Sequence, residues 1–187
     1  MFDIRDILVE NPVVAAIRDE TKLEDVIRSR VKIVFVLCGS ILNIAETCKR
    51  LNDADKIVYI HVDMLEGLKG DMAGIEFLKK GACCEGILTT KSNVVRVAKQ
   101  LGLHTILRVF ILDSLSLKTG IKNVNEAGPD AVEIMPGVAC KVIADLEKKI
   151  SVPVIAGGLI VNREQVMESL SAGAVAISTA SQALWDL

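Results

Sequence analysis

Four stretches of this chain end alike, with an amphipathic run, a glycine and then a β-rich apolar run: "FLKKGACCEGILTT", "VAKQLGLHTILRVF", "VNEAGPDAVEIM" and "SLSAGAVAIST". In each, the first glycine (Gly81, Gly102, Gly128, Gly173) stands where a helix needs a left-handed residue in order to stop. The apolar runs are near-continuous in Val, Ile, Leu and Ala and do not alternate with polar residues, as in strands covered on both faces of a parallel sheet. Helix starts keep the same phase. "TKLE" at 21–24 has the form of a capping box, and "NREQ" at 162–165 has the same Asn-to-Gln spacing.

The pattern predicts strands near 12–17, 32–38, 57–62, 86–90, 104–109, 131–135, 152–156 and 174–178. A leading helix at 3–10 should stop at Asn11-Pro12, because the residue before proline avoids helical angles. Eight βα units in 187 residues predict a single α/β domain spanning 1–187, a small (β/α)8 TIM-type barrel. Such barrels usually take ~250 residues, so an open doubly wound sheet is the competing architecture.

With 51% hydrophobic and 25% charged residues, the chain can fill a core and is not of the disordered class. Its longest apolar stretches, such as "IVFVLC" at 33–38, are far below the ~20 residues of a membrane helix. The first residues, "MFDIRDILVENP", carry acids and have neither a basic leader nor an apolar signal core, so a cytoplasmic location is expected. Five cysteines without CxxC spacing read as free thiols of a reducing compartment. No cofactor is expected. A metal held by Asp63, Glu66 and Glu133 is the weaker alternative to none, since no histidine or further acid stands at suitable spacing.

In "PVIAGGLI" at 153–160, two glycines follow a buried strand, and "STAS" at 178–181 follows the last one. Barrels frequently bind phosphate at the loops after strands seven and eight. Gly157 and Gly158 would expose backbone N–H groups there, and Ser178 and Thr179 would add hydroxyls. A tight turn and locally satisfied strand-end residues are the bland reading of the same four positions.

Other strand ends carry Asp63 and Glu66, Lys91, Arg108, Asp113 and Ser114, and Glu133. Around a phosphate site these residues suit a small polyol phosphate, with carboxylates accepting from its hydroxyls and cations balancing its charge. Taken one by one, each reads as an ion pair or a solvated loop residue. His61 within strand three and His104 at the start of strand five read as core residues, only His61 approaching the rim.

The stretches "FVLCGSILNI", "YIHVDMLEGL", "GILTTKSN", "RVFILDSLSL", "PDAVEIMPG", "PVIAGGLI" and "AGAVAISTAS", with a terminal "LW", resemble the glycerol uptake operon antiterminator regulatory family. The likeness runs from about Asn11 to Trp185, and "HVDMLEGL", "LDSLSL" and "EIMPG" are its specific motifs. It implies a non-enzymatic barrel that takes glycerol 3-phosphate as effector and stabilises the leader mRNA of glycerol catabolism genes against termination of transcription. The family's strand-end residues are matched by Asp63, Glu66, Lys91, Arg108, Asp113, Ser114 and Glu133, with Gly157, Gly158, Ser178 and Thr179 as phosphate loops. Ser40 departs from the family's more usual Asp.

For RNA, a net charge of −2 gives no general cationic field. Cations do cluster on the connections that lead into strands: Arg28, Arg30 and Lys32, then Lys56, then Lys79 and Lys80, then Lys148 and Lys149. In a barrel these gather on the face opposite the phosphate site. Helix-dipole stabilisation accounts for the same cations without any RNA. Aromatic residues are 3% of the chain, so RNA contact would rest on phosphate and shape. Ligand occupancy is then expected to act on this face or on a homo-oligomer interface. Two other functions fit the residues: an aldolase- or isomerase-like barrel enzyme using Lys91 and the rim carboxylates on a phosphorylated metabolite, and a barrel that scaffolds a partner protein.

Overall fold

The computed structural model describes residues 3–187. Eight parallel strands close into a barrel in chain order, β8 pairing back onto β1. They are β1 (Val13–Ile17), β2 (Ile33–Val36), β3 (Ile57–His61), β4 (Gly86–Thr89), β5 (His104–Phe110), β6 (Ala131–Met135), β7 (Val154–Gly157) and β8 (Ala176–Thr179). The helices are α1 (Ile4–Glu10), α2 (Leu23–Arg28), α3 (Ile44–Asp53), α4 (Met72–Phe77), α5 (Ser92–Gln100), α6 (Ser114–Ala127), α7 (Cys140–Glu147) and α8 (Arg163–Ser171). α1 precedes the barrel, α2–α8 follow β1–β7 in turn, and β8 is followed by a 3-10 turn at Gln182–Leu184. Closure within this length is achieved with short helices, of six residues in α2 and α4. No helix among the described residues is long and apolar enough to cross a membrane.

The continuous apolar strands follow from burial on both faces. Val34, Val36, Val58, Ile60, Leu107, Val132 and Ile177 point outward into the shell beneath the helices. Val14, Phe35, Tyr59, Leu88, Ile106 and Ile155 fill the barrel itself. Ile4 and Leu8 of α1 join that inner cluster with Ile33, Ala131 and Ala176, the first residues of β2, β6 and β8, so the leading helix plugs the N-terminal end.

Near the other end the inward column becomes polar. Above Tyr59, Ile106, Ala131 and Ala176, the next inward positions of their strands are His61, Arg108, Glu133 and Ser178, all buried.

Local signals differ from the sequence reading in three places. "TKLE" does not cap α2; Asp19 caps a 3-10 turn at Glu20–Lys22 by accepting from Thr21 N–H, and α2 continues from that turn without a side-chain cap. Gly102, Gly128 and Gly173 have φ of +72°, +58° and +109°, but Gly81 does not; the left-handed residue there is Cys83, after a turn of π-helix at Leu78–Ala82. β7 and β8 each end one residue later than expected, so Gly157, Ser178 and Thr179 are strand residues and the loops begin after them.

Candidate functional site

The polar layer is organised by Glu133. Its carboxylate is fully buried and both oxygens are used: Arg108 Nε donates to Oε2 at 2.5 Å and Ser178 Oγ donates to Oε1 at 2.5 Å. The room for it comes from Gly157. A Cβ at that position would lie 2.6 Å from Glu133 Oε1 and 2.7 Å from Ser178 Oγ, so any side chain would displace the carboxylate. Gly157 therefore serves close packing inside the barrel. Gly158 (φ +78°) and Leu159 (φ +63°) turn the chain outward, and a left-handed leucine is strained.

Arg108 is only half served by this arrangement. Nε is paired, while Nη2 is buried with no hydrogen-bond partner. The residue lines a cavity of about 200 Å³ together with Arg18, Gly158, Ser178, Thr179 and Ser181. Within that wall the Thr179 hydroxyl is committed, donating to Ile160 O at 2.7 Å and accepting from Ser181 N–H at 3.0 Å. Trp185 Nε1 donates to Thr179 O at 3.1 Å and fastens the chain's end beneath the same loop. Arg18, one residue past β1, is exposed and makes no ion pair among the described residues. The sequence reading missed it, although "AAIRDE" marks it as a strand-end cation like those it did single out.

A second cluster sits across the mouth. Asp63 follows β3, and its Oδ2 accepts from Thr90 N–H at 2.7 Å, Thr89 Oγ1 at 2.9 Å and Thr90 Oγ1 at 3.0 Å, while Lys91 Nζ lies 3.1 Å from Oδ1. Burial would raise the Asp63 carboxyl, but the hydrogen bonds from Thr90, Thr89 and Lys91 outweigh it and its pKa is lowered. Lys91 remains 62% exposed and can reach a ligand above the mouth. It is not the desolvated amine that Schiff-base chemistry requires.

The remaining candidates are more peripheral. Glu66 is exposed and joins the β2 loop through its backbone, donating N–H to Gly39 O and accepting from Ile41 N–H. Asp113 caps α6 in a capping box with Ser116, whose hydrogen bonds lower its pKa, and Ser114 begins the helix, exposed. Asp113 and Arg108 both line a cleft of about 460 Å³ between the end of β5 and α6. The Asp63, Glu66 and Glu133 metal alternative finds no support, since no group of three metal-ligating side chains occurs among the described residues.

On the opposite face, Arg28, Arg30, Lys32, Lys79, Lys80, Lys148 and Lys149 are all exposed on the connections into β2, β4 and β7. Lys79 donates to Leu101 O and Lys80 pairs with Glu76 at 2.6 Å. Lys56 drops out of this patch: it is buried, and its Nζ donates to Ser29 O at 2.7 Å and Val31 O at 2.8 Å.

A model of the family described as glycerol-3-phosphate responsive antiterminator matches residues 13–185. The uncharacterised protein YgcP of Escherichia coli K12 is 38% identical over 181 residues, which is 97% of this chain and 95% of that protein. Among solved structures, the glycerol uptake operon antiterminator regulatory protein of Listeria monocytogenes superimposes with a TM-score of 0.89 at 30% identity, covering 92% of this chain and 94% of that one. A glycerol uptake operon antiterminator-related protein of Thermotoga maritima gives 0.83 at 36% identity, covering 94% and 98%.

Proposed function

The chain belongs to the glycerol-3-phosphate responsive antiterminator family, a family of regulators, and on that premise we propose that it is a sensor whose barrel mouth takes glycerol 3-phosphate and whose RNA target is the leader mRNA of glycerol catabolism genes. The observation that carries the effector half is Arg108 Nη2, a buried cationic donor without a partner on the wall of a small cavity. An anion there gives it one, in a charge-assisted bond. The phosphate lies between the loops after β7 and β8, within reach of Arg18 and of the backbone that turns at Gly158 and Leu159. At about 200 Å³ the cavity is below the ~300–1,000 Å³ of drug-sized sites and suits a small metabolite.

Calorimetric titration with glycerol 3-phosphate, against inorganic phosphate and glycerol, tests this half. Saturable binding specific to glycerol 3-phosphate supports it, and none from folded protein refutes it.

The RNA half rests on the family and on the exposed cations at the N-terminal face, Arg28, Arg30, Lys32, Lys79, Lys80, Lys148 and Lys149. Reversing the charges at Lys79, Lys80, Lys148 and Lys149 should abolish retention of leader RNA and spare effector binding. Unchanged retention refutes this face as the RNA site. Effector occupancy is coupled to RNA through that face or through a homo-oligomer interface, and sedimentation with and without effector separates the two routes.

A further inference from the structure

Among the described residues, two buried side-chain atoms have no hydrogen-bond partner, and both belong to the polar layer at the barrel mouth: Arg108 Nη2 and His61 Nδ1. If the phosphate engages the arginine, the histidine is still unexplained. His61 is 3% exposed and is the next inward residue of β3 after Tyr59, two positions before Asp63. Below it the barrel is filled by Phe35, Leu88 and Tyr59, and the Tyr59 hydroxyl is directed to His104 Nδ1. The other inward polar groups are already engaged, Glu133 by Arg108 and Ser178, and Asp63 by Thr89, Thr90 and Lys91. A buried polar atom left bare loses its hydration without recompense, so a site that keeps one needs something to complete it.

We propose that His61 is a ligand-contacting residue that takes a hydroxyl group of the phosphorylated polyol, and so lets the site tell that ligand from phosphate alone. This deepens the functional reading above and rests on it. Burial and the Arg108 charge hold the imidazole neutral, with its pKa near 4, so the ring offers one donor and one acceptor nitrogen. A hydroxyl can donate or accept, and it suits Nδ1 in either tautomer. The terminal oxygens of an ionised phosphate monoester only accept and would satisfy one tautomer alone. His61 is not part of the wall of the cavity of about 200 Å³, so on this proposal the ligand extends from a phosphate at the β7 and β8 loops past Arg108 toward β3.

The chain has two histidines, which makes the test direct. His104 lies at the other end of the barrel, its Nδ1 3.3 Å from the Tyr59 hydroxyl and 3.4 Å from Glu85 Oε1, and serves as internal control. In the full chain carrying 15N-histidine, saturation with glycerol 3-phosphate should shift the His61 ring nitrogens and leave His104 in place, and inorganic phosphate should leave both nearly unmoved. In calorimetry His61→Phe should weaken glycerol 3-phosphate about tenfold, the loss of roughly one hydrogen bond, with inorganic phosphate unaffected. Heat of binding without a His61 shift overturns the assignment alone and leaves an ordered water as the partner of Nδ1. No heat from folded wild-type protein overturns the functional reading and this assignment with it. The spectra use unaltered protein, so a His61→Phe chain that fails to fold does not remove the test.

Discussion

The two ends of this barrel treat their polar groups in opposite ways. At the N-terminal end Lys56 donates to two carbonyl oxygens, Asp130 accepts from the Thr105 backbone and hydroxyl and from Lys99, and α1 closes the opening with Ile4 and Leu8. At the C-terminal end two buried nitrogens are bare, and Leu42, Met64, Phe110, Leu112, Leu159 and Val161 are exposed. The first end is complete by itself. The second carries bare buried groups that a bound ligand or water would complete, as expected of the face where barrels bind ligands.

Breaking the fully buried carboxylate at the open end should have the largest effect. Glu133→Ala leaves Arg108 as a buried cation without its carboxylate. The expected loss is about 3–5 kcal/mol, or roughly 6–20 °C in the unfolding midpoint of a chain this size. Thermal unfolding followed by circular dichroism measures it. A midpoint within a degree of wild type would mean that Arg108 finds water there and that the layer is not dry.

Acid should sharpen the contrast through His61. Its pKa falls from 6.5 to about 4 in the folded chain, so between those values the unfolded state takes up a proton that the folded state refuses. The stability it contributes is intact above pH 6.5 and is lost progressively as pH falls to about 4. The shift corresponds to about 3 kcal/mol. Denaturant midpoints measured across that window should fall with pH in wild type and flatten in His61→Phe. A parallel decline in both would assign the acid sensitivity elsewhere.

Much of the architecture was legible because periodicity is local. The two-face burial of strands such as 33–36 and 131–135 is written in runs of neighbouring residues, and a parallel sheet with that many repeats has few ways to close. The pairings within the site were not legible, since Arg108 and Glu133 come from different strands and Ser178 from a third. Glu133 reads in sequence as an acceptor for ligand hydroxyls, yet closure of the barrel commits both its oxygens to Arg108 and Ser178. The glycine at 157 reads as a place for a phosphate, and the volume it spares is occupied by that carboxylate. Lys56 reads as one more surface cation, and only the fold reveals the two carbonyls it serves.

At the complete end, Lys56→Met keeps the stem and removes the charge. The Ser29 and Val31 carbonyls then lose their donor, with an expected cost of about 1–3 kcal/mol and no change in effector affinity. Chemical denaturation paired with calorimetry reads both quantities. Weakened effector binding would show that the two ends communicate through the barrel wall.

Lys91→Ala should have the smallest effect on stability, and it separates a structural from a binding role for that lysine. The ammonium is 62% exposed and screened by solvent, and Asp63 keeps its three hydrogen bonds from Thr89 and Thr90 when the lysine is gone. An exposed pair of this kind contributes about 0–1 kcal/mol. If Lys91 also faces the effector, the dissociation constant for glycerol 3-phosphate rises several-fold while the unfolding midpoint barely moves, and added salt reduces the difference from wild type. If it serves only Asp63, both quantities stay near wild type, and the mouth's ligand-facing cations reduce to Arg18 and Arg108.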